Sequence, residues 1–163
     1  ARGKLPLCLI AKKIGVPESQ LVVDPAQAGG LMGKSDGAII GPDGRKEPIE
    51  IKGSRCKKGK GSTVYVNDIR LNGTDWQHLF IVSREKDPKS WTDVREYSEC
   101  CFKLAYVKRR DLNRAVWARG RGQPTKVDAT ITPGSKQSWL GKYVHWVKVQ
   151  DITREWWDEH VLH

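Results

Sequence analysis

The sequence has no apolar run that approaches the roughly 18 residues of a membrane span, so we expect no membrane partner. Its four cysteines (Cys8, Cys56, Cys100 and Cys101) form no C-x-x-C pair, and its four histidines are scattered. This spacing argues against a zinc site. Four unpaired thiols suit a reducing compartment, so we expect a cytoplasmic or nuclear protein rather than a secreted one.

Acidic residues are scarce relative to basic ones. The 163-residue chain contains 29 Lys and Arg against 19 Asp and Glu, a formal net charge of +10, and its sequence pI is near 9.6. So large a basic excess favours a polyanionic partner such as nucleic acid. The length suits one domain. Because no internal repeat or linker divides the chain, residues 1–163 are predicted to form a single α/β domain.

The most informative motif is an acid followed by a Glu-x-Lys triplet. Asp36 precedes the apolar residues 38–40, residues 42–44 (Pro-Asp-Gly) are strong turn sequence, and the segment that follows alternates apolar with polar side chains. This pattern predicts a strand, a tight turn and a second strand. Because side chains alternate faces along a strand, Glu50 and Lys52 share one face. The hairpin would bring Asp36 beside that face.

Two carboxylates with a lysine at their edge suit a divalent cation that acts on phosphate groups. Mg²⁺ prefers hard oxygen ligands, retains several waters and takes phosphate oxygens from a substrate. Asp43 also follows a proline, but Pro42-Asp43-Gly44 is better explained as the turn itself. Because an acid in the turn would point away from the Glu50 face, the metal-binding role is assigned to Asp36.

Asp36 with Glu50-Ile51-Lys52 resembles the motif of the PD-(D/E)xK nuclease superfamily, the restriction-endonuclease-like fold. In that family an acid opens one strand and Glu-x-Lys or Asp-x-Lys lies on the next, while Ser35 stands here where the family often has proline. The likeness covers about residues 30–107 and is greatest to small type II restriction endonucleases. It implies a mixed central sheet flanked by helices, with residues 108–163 supplying recognition or dimer elements of the same domain.

The resemblance also implies a chemistry. Asp36 and Glu50 would hold Mg²⁺ together with the backbone carbonyl of Ile51, and Lys52 would orient the attacking water. Mn²⁺ is expected to substitute for Mg²⁺. The implied activity is hydrolysis of phosphodiester bonds in double-stranded DNA, sequence-specific as in type II restriction. Because a domain of this size carries one active site, a double-strand cut implies a two-fold homodimer.

DNA contacts are predicted in two basic segments and one strand. Lysines after the Glu-x-Lys strand would neutralise phosphates near the scissile bond, and polar side chains on the next strand would reach base edges. The predicted DNA-binding residues are Arg55, Lys57, Lys58, Lys60, Ser62, Thr63, Tyr65, Asn67, Arg110 and Arg114. Trp156 and Trp157 are the best candidates for a dimer interface.

The rest of the chain predicts alternating helices and strands. Helices are expected over residues 5–14 and 109–119 and, in a shorter form, from Pro17 towards Val23, and Thr153 is expected to cap a closing helix. Residues 64–71 fit neither period. Strands are expected over residues 36–40, 48–53, 76–83, 101–107, 126–131 and 143–149.

Three alternatives fit the same features. A structure-selective nuclease, such as a junction resolvase or a repair nickase, would share the motif and the metal requirement. A non-catalytic basic nucleic-acid-binding module would bind DNA without metal-dependent turnover. An RNA-binding protein that uses exposed tryptophans would prefer single strands. Discrete cutting, nicking and binding without cutting distinguish these classes.

Overall fold

Alternating and continuous apolar segments of the sequence form strands. A computed structural model describes residues 3–24, 35–56, 64–69, 74–112, 127–131 and 143–163, without the side chains of 65, 67–68 and 127–131. The strands of this part are β1 (Leu21–Val23), β2 (Gly37–Ile40), β3 (Lys46–Arg55), β4 (Val64–Ile69), β5 (His78–Arg84), β6 (Lys103–Lys108), β7 (Val127–Ile131) and β8 (His145–Lys148).

Six of these strands form one mixed sheet in the order β1-β2-β3-β5-β6-β8. β3 and β5 are parallel, with Glu50 opposite Leu79, and the other neighbours in this sheet are antiparallel. β4 and β7 pair with each other in a separate two-stranded sheet. The predicted α/β class with a mixed central sheet is therefore confirmed. β4 also resolves the ambiguous segment after residue 63 as a strand.

The described helices all contact one face of the central sheet. They are α1 (Lys4–Lys13), α2 (Arg95–Glu99) and α3 (Arg154–Trp157), the last followed by a π-helical turn, Asp158–Leu162. Their buried side chains share a core with Ile49 and Ile51 of β3 and Phe80 and Val82 of β5. The prediction of a central sheet flanked by helices is therefore confirmed for one face in the described residues, while β4 covers the opposite face.

The opposite face of the sheet carries a second cluster of buried apolar side chains. Leu79 and Ile81 of β5 pack there against Val64, Val66 and Ile69 of β4. Because β5 is covered on both sides, all of its seven residues are buried, as expected for a continuous apolar strand in a parallel pair. Glu50 and Lys52 lie on this β4-covered side, since they are paired in register with Leu79 and Ile81.

Helix predictions succeed at the two ends of the described chain and fail between them. α1 confirms the helix expected over residues 5–14, and Thr153 caps α3 by accepting the Trp156 backbone N–H at 3.1 Å. The helix from Pro17 is wrong, since the chain turns there and enters β1. Of the helix over residues 109–119, Arg109–Asp111 is only a 3₁₀ turn that ends in extended backbone, and residues 113–119 lie outside the described part.

The two adjacent tryptophans have different environments. Trp157 is fully buried and stacks on Phe80, with 5.4 Å between ring centroids. Trp156 is half-buried beside His160. The expectation that Trp157 contributes to a dimer interface is therefore wrong, because its ring is buried in the core of its own chain. Among the described residues, no helix is both long and apolar enough to cross a membrane, and all four cysteines are free thiols.

Candidate active site

Asp36 is fixed where the β2–β3 hairpin stops pairing. The hairpin register ends with Gly37 opposite Ile49, and the Asp36 backbone N–H donates to the Ile49 carbonyl at 3.0 Å. The next hydrogen bond along β3 is made by the Asp36 side chain instead of the backbone: Asp36 Oδ2 accepts the Ile51 N–H at 2.8 Å. This bond holds the carboxylate against β3 rather than in solvent, and only 21% of the side chain is exposed.

Glu50 and Lys52 project from β3 on the face opposite its two buried isoleucines. Ile49 and Ile51 enter the core shared with the helices, which leaves the charged pair on the β4-covered side. Lys52 Nζ lies 3.3 Å from Glu50 Oε1, and the two side chains are 21% and 26% exposed. The predicted period-two arrangement of Glu50 and Lys52 is confirmed.

The ionisation of Glu50 is perturbed by its surroundings, including the neighbouring Asp36 carboxylate. Burial raises the pKa of Glu50 above its ordinary value, the negative charge of Asp36 and a hydrogen bond with it raise it further, and Lys52 offsets part of the shift. Two half-buried carboxylates in contact are disfavoured when both are ionised. A divalent cation between them would remove this repulsion, so the donor set fits a hard metal ion.

The Ile51 backbone faces the same edge as Asp36. Its N–H donates to Asp36 Oδ2, and in an extended strand the N–H and C=O of one residue point to the same neighbour. The Ile51 carbonyl is therefore directed to the carboxylate edge. Within the described ranges no group of three or more His, Cys, Asp or Glu residues is placed to hold a metal ion. A metal here would have two carboxylates and one carbonyl from the protein, and waters or phosphate oxygens would complete its shell.

Asp43, the acid of the Pro-Asp pair, lies in the hairpin turn. Its Oδ1 accepts the Arg45 backbone N–H at 3.0 Å, and Gly44 adopts a left-handed φ of 80° that closes the turn without steric cost. The side chain of Asp43 is 63% exposed. The structure therefore places Asp36, and not Asp43, beside Glu50.

Lys4 is the residue of this site that sequence reasoning missed. Its Nζ lies 3.3 Å from Asp36 Oδ1 and donates to the Asp24 backbone carbonyl at 3.1 Å. Lys4 opens α1, and the preceding Gly3 packs so tightly that a Cβ there would lie 3.0 Å from Ile51 Cγ2. No local pattern could have identified Lys4, because only the docking of α1 on β3 brings it to Asp36.

The predicted DNA contacts are only partly described. Arg55 is exposed at the end of β3, whereas Arg110 follows β6 at the opposite end of the sheet and donates to the His163 carbonyl. The structure therefore does not bring these two arginines together. Tyr65 and Asn67 lie on β4, but their side chains are outside the description. The predicted contacts that lie outside the described residues are Lys57, Lys58, Lys60, Ser62, Thr63 and Arg114.

Comparison with known proteins gives no family for this chain. Neither a family model, a curated protein nor a solved structure matches it. The charged residues at the β2–β3 edge and the net charge of the chain are therefore the features that bear on its function.

Replacing Glu50 with glutamine is expected to stabilise the protein at neutral pH when no metal is added. Because the pKa of Glu50 is raised in the folded state, ionisation of this group opposes folding, and the cost develops as pH rises from its ordinary value of 4.5 through the raised value. Glu50→Gln should therefore raise the free energy of unfolding by roughly 0.5–2 kcal/mol at pH 8. Urea unfolding in EDTA between pH 4 and pH 8 measures the difference.

The pH dependence separates this effect from a general gain in stability. Below the ordinary Glu pKa both states of the wild type are protonated at Glu50, so the advantage of Glu50→Gln should vanish there. Glu99→Gln, which changes an exposed acid at the end of α2, serves as the matched control. A Glu50→Gln variant that is equally or less stable than wild type at pH 8 would contradict the described electrostatics.

Proposed function

We propose that the protein is a Mg²⁺-dependent endonuclease that hydrolyses phosphodiester bonds of double-stranded DNA. The observation that carries this proposal is the meeting of Asp36 and Glu50 at one strand edge, with the Lys52 ammonium 3.3 Å from Glu50. Two carboxylates in contact repel each other when both are ionised, and such pairs concentrate at functional sites.

Each residue of the site has a role in this chemistry. Asp36, Glu50 and the Ile51 carbonyl would hold the ion, and the Ile51 N–H keeps the Asp36 carboxylate oriented towards it. A bound Mg²⁺ would supply Lewis-acid chemistry, offsetting the charge of a phosphate group under attack by water. Lys52 would orient that water and stabilise the developing negative charge. Partial burial of these groups strengthens each of these interactions relative to bulk water.

Two further features support DNA as the substrate. The chain carries a formal net charge of +10, which favours a polyanion. The order of the acid-bearing hairpin followed by a parallel buried strand also agrees with the restriction-endonuclease-like core that the motif resembles. Sequence-specific cutting, as in small type II enzymes, and a two-fold homodimer that cuts both strands belong to the same proposal.

Incubation of supercoiled plasmid and phage DNA with the protein tests the function. Reactions at low salt with Mg²⁺, with Mn²⁺ and with EDTA should give discrete fragments only when a metal is present. Nicking or smearing that requires metal would favour a structure-selective nuclease, such as a junction resolvase or a repair nickase. Binding without cutting, on methylated and unmethylated DNA alike, would overturn the catalytic assignment and leave a non-catalytic basic binding module.

Arg55 is expected to contact a phosphate near the cut. It is exposed at the end of the strand that carries Glu50 and Lys52. Because a phosphate contact adds affinity without reading sequence, Arg55→Ala should weaken binding about equally for all duplexes and reduce the slope of log K against log salt by about 1. Fluorescence anisotropy at several salt concentrations, with Ca²⁺ replacing Mg²⁺, measures this slope.

Arg95→Ala is the matched control for Arg55, since Arg95 is exposed on α2 and paired with Asp93. It removes the same charge from the surface, and its salt slope should equal that of the wild type. An Arg55→Ala slope that equals the wild-type slope would place Arg55 outside the DNA interface.

A further inference from the structure

Each carboxylate of the site has its own ammonium partner. Lys4 Nζ lies 3.3 Å from Asp36 Oδ1, and Lys52 Nζ lies 3.3 Å from Glu50 Oε1. Two negative charges are therefore matched by two positive charges that arrive from different elements, α1 and β3. Lys52 belongs to the Glu-x-Lys motif, whereas Lys4 has no counterpart in that motif. Its position requires a separate explanation.

Lys4 is held firmly in this position. Its side chain is only 13% exposed, and its ammonium also donates to the Asp24 backbone carbonyl. The preceding Gly3 packs closely between α1 and β3, since a Cβ at this position would lie only 3.2 Å from Gly53 N. The Lys4 amine is therefore part of the site. It contacts Asp36 Oδ1, whereas the Ile51 N–H donates to Asp36 Oδ2.

We infer that Lys4 is a positioning residue that competes with the metal ion for Asp36. This inference rests on the proposed function, because it assumes that Asp36 is a metal ligand. Without DNA, the Lys4 ammonium occupies Asp36 Oδ1 and neutralises the charge that would attract a cation. Metal binding must separate the Lys4–Asp36 pair. The freed ammonium then adds positive charge beside the ion, where an incoming phosphodiester compensates it.

The consequence is that metal and DNA assist each other. A site that is charge-balanced by its own lysines binds a divalent cation weakly, and the same site with the cation present carries excess positive charge. A DNA phosphate relieves that excess, so each ligand raises the affinity for the other. Removing the Lys4 charge should therefore strengthen metal binding in the absence of DNA, opposite to the effect of removing a residue that merely holds the site together.

Mn²⁺ titration of the DNA-free protein, followed by electron paramagnetic resonance, tests this inference. Lys4→Met should lower the Kd for Mn²⁺ by about tenfold, and Lys4→Gln, which retains a donor for the Asp24 carbonyl, should do the same if Lys4→Met fails to fold. Lys4→Arg restores the positive charge and should return the affinity to that of the wild type. Lys12→Met, at an exposed position of the same helix, is the control for a change in net charge.

Asp36→Asn in the same titration separates failure of this inference from failure of the proposed function. Unchanged or weaker Mn²⁺ binding in both neutral Lys4 variants, with binding lost in Asp36→Asn, would overturn the role of Lys4 and leave the metal site in place. Mn²⁺ binding by Asp36→Asn that equals the wild type would show that the ion binds elsewhere and would overturn the site itself. A tenfold gain in Mn²⁺ affinity in Lys12→Met would show that the effect arises from the net charge of the protein. That result would also overturn the role of Lys4.

Discussion

Asp36→Asn is expected to reduce Mg²⁺-dependent DNA cleavage by roughly 10²–10³-fold or more, the range for loss of a group that stabilises a charged transition state. The amide oxygen still accepts the Ile51 N–H that Oδ2 accepts in the wild type, so the fold should survive. What is lost is one of the two negative charges that would hold the ion. Initial rates on supercoiled plasmid at saturating Mg²⁺ measure the change.

Asp43→Asn is the matched control, because it makes the same substitution at the exposed acid of the hairpin turn. Its cleavage rate should equal that of the wild type. Lys52→Met should lose activity to an extent similar to Asp36→Asn, since Lys52 lies beside Glu50 on the same face. Full activity in Asp36→Asn, or a loss in Asp43→Asn as large as that in Asp36→Asn, would contradict the assignment of the site.

Trp157→Ala is expected to destabilise the protein by about 3–5 kcal/mol, the usual cost of removing a large aromatic side chain from a core. Trp157 is 0% exposed and stacks on Phe80 at an interplanar angle of 13°. Phe80 lies opposite Ile51, so the core beneath β3 depends on this ring. Equilibrium unfolding in urea measures the loss.

Trp156→Ala removes the same side chain one residue earlier and should cost far less, roughly 1–2 kcal/mol, because its ring is only half-buried. Both variants should be compared at several protein concentrations. An equal cost at the two positions would contradict the described packing. A concentration-dependent loss confined to Trp156→Ala would instead point to a contribution of Trp156 to the proposed dimer.

The core of the candidate site could be predicted from sequence because its spacing is local. Glu50 and Lys52 share a face through the two-residue period of a strand, and the Pro-Asp-Gly turn returns the chain so that Asp36 meets them. These relations depend on a short stretch of backbone whose geometry is nearly fixed. The prediction of a helix from Pro17 failed because the structure of this segment depends on a distant one. β1 is stabilised by pairing with β2, and helical spacing in the sequence does not reveal that pairing.

The α/β class, the acid-bearing hairpin and the common face of Glu50 and Lys52 follow from local sequence, because alternation and turn chemistry act over a few residues. Three features depend on long-range packing: the described helices cover one face of the sheet while β4 covers the other, Trp157 fills the core, and Lys4 reaches Asp36. Those contacts join segments far apart in the chain. They depend on which apolar surfaces fit together, and no local pattern encodes that fit.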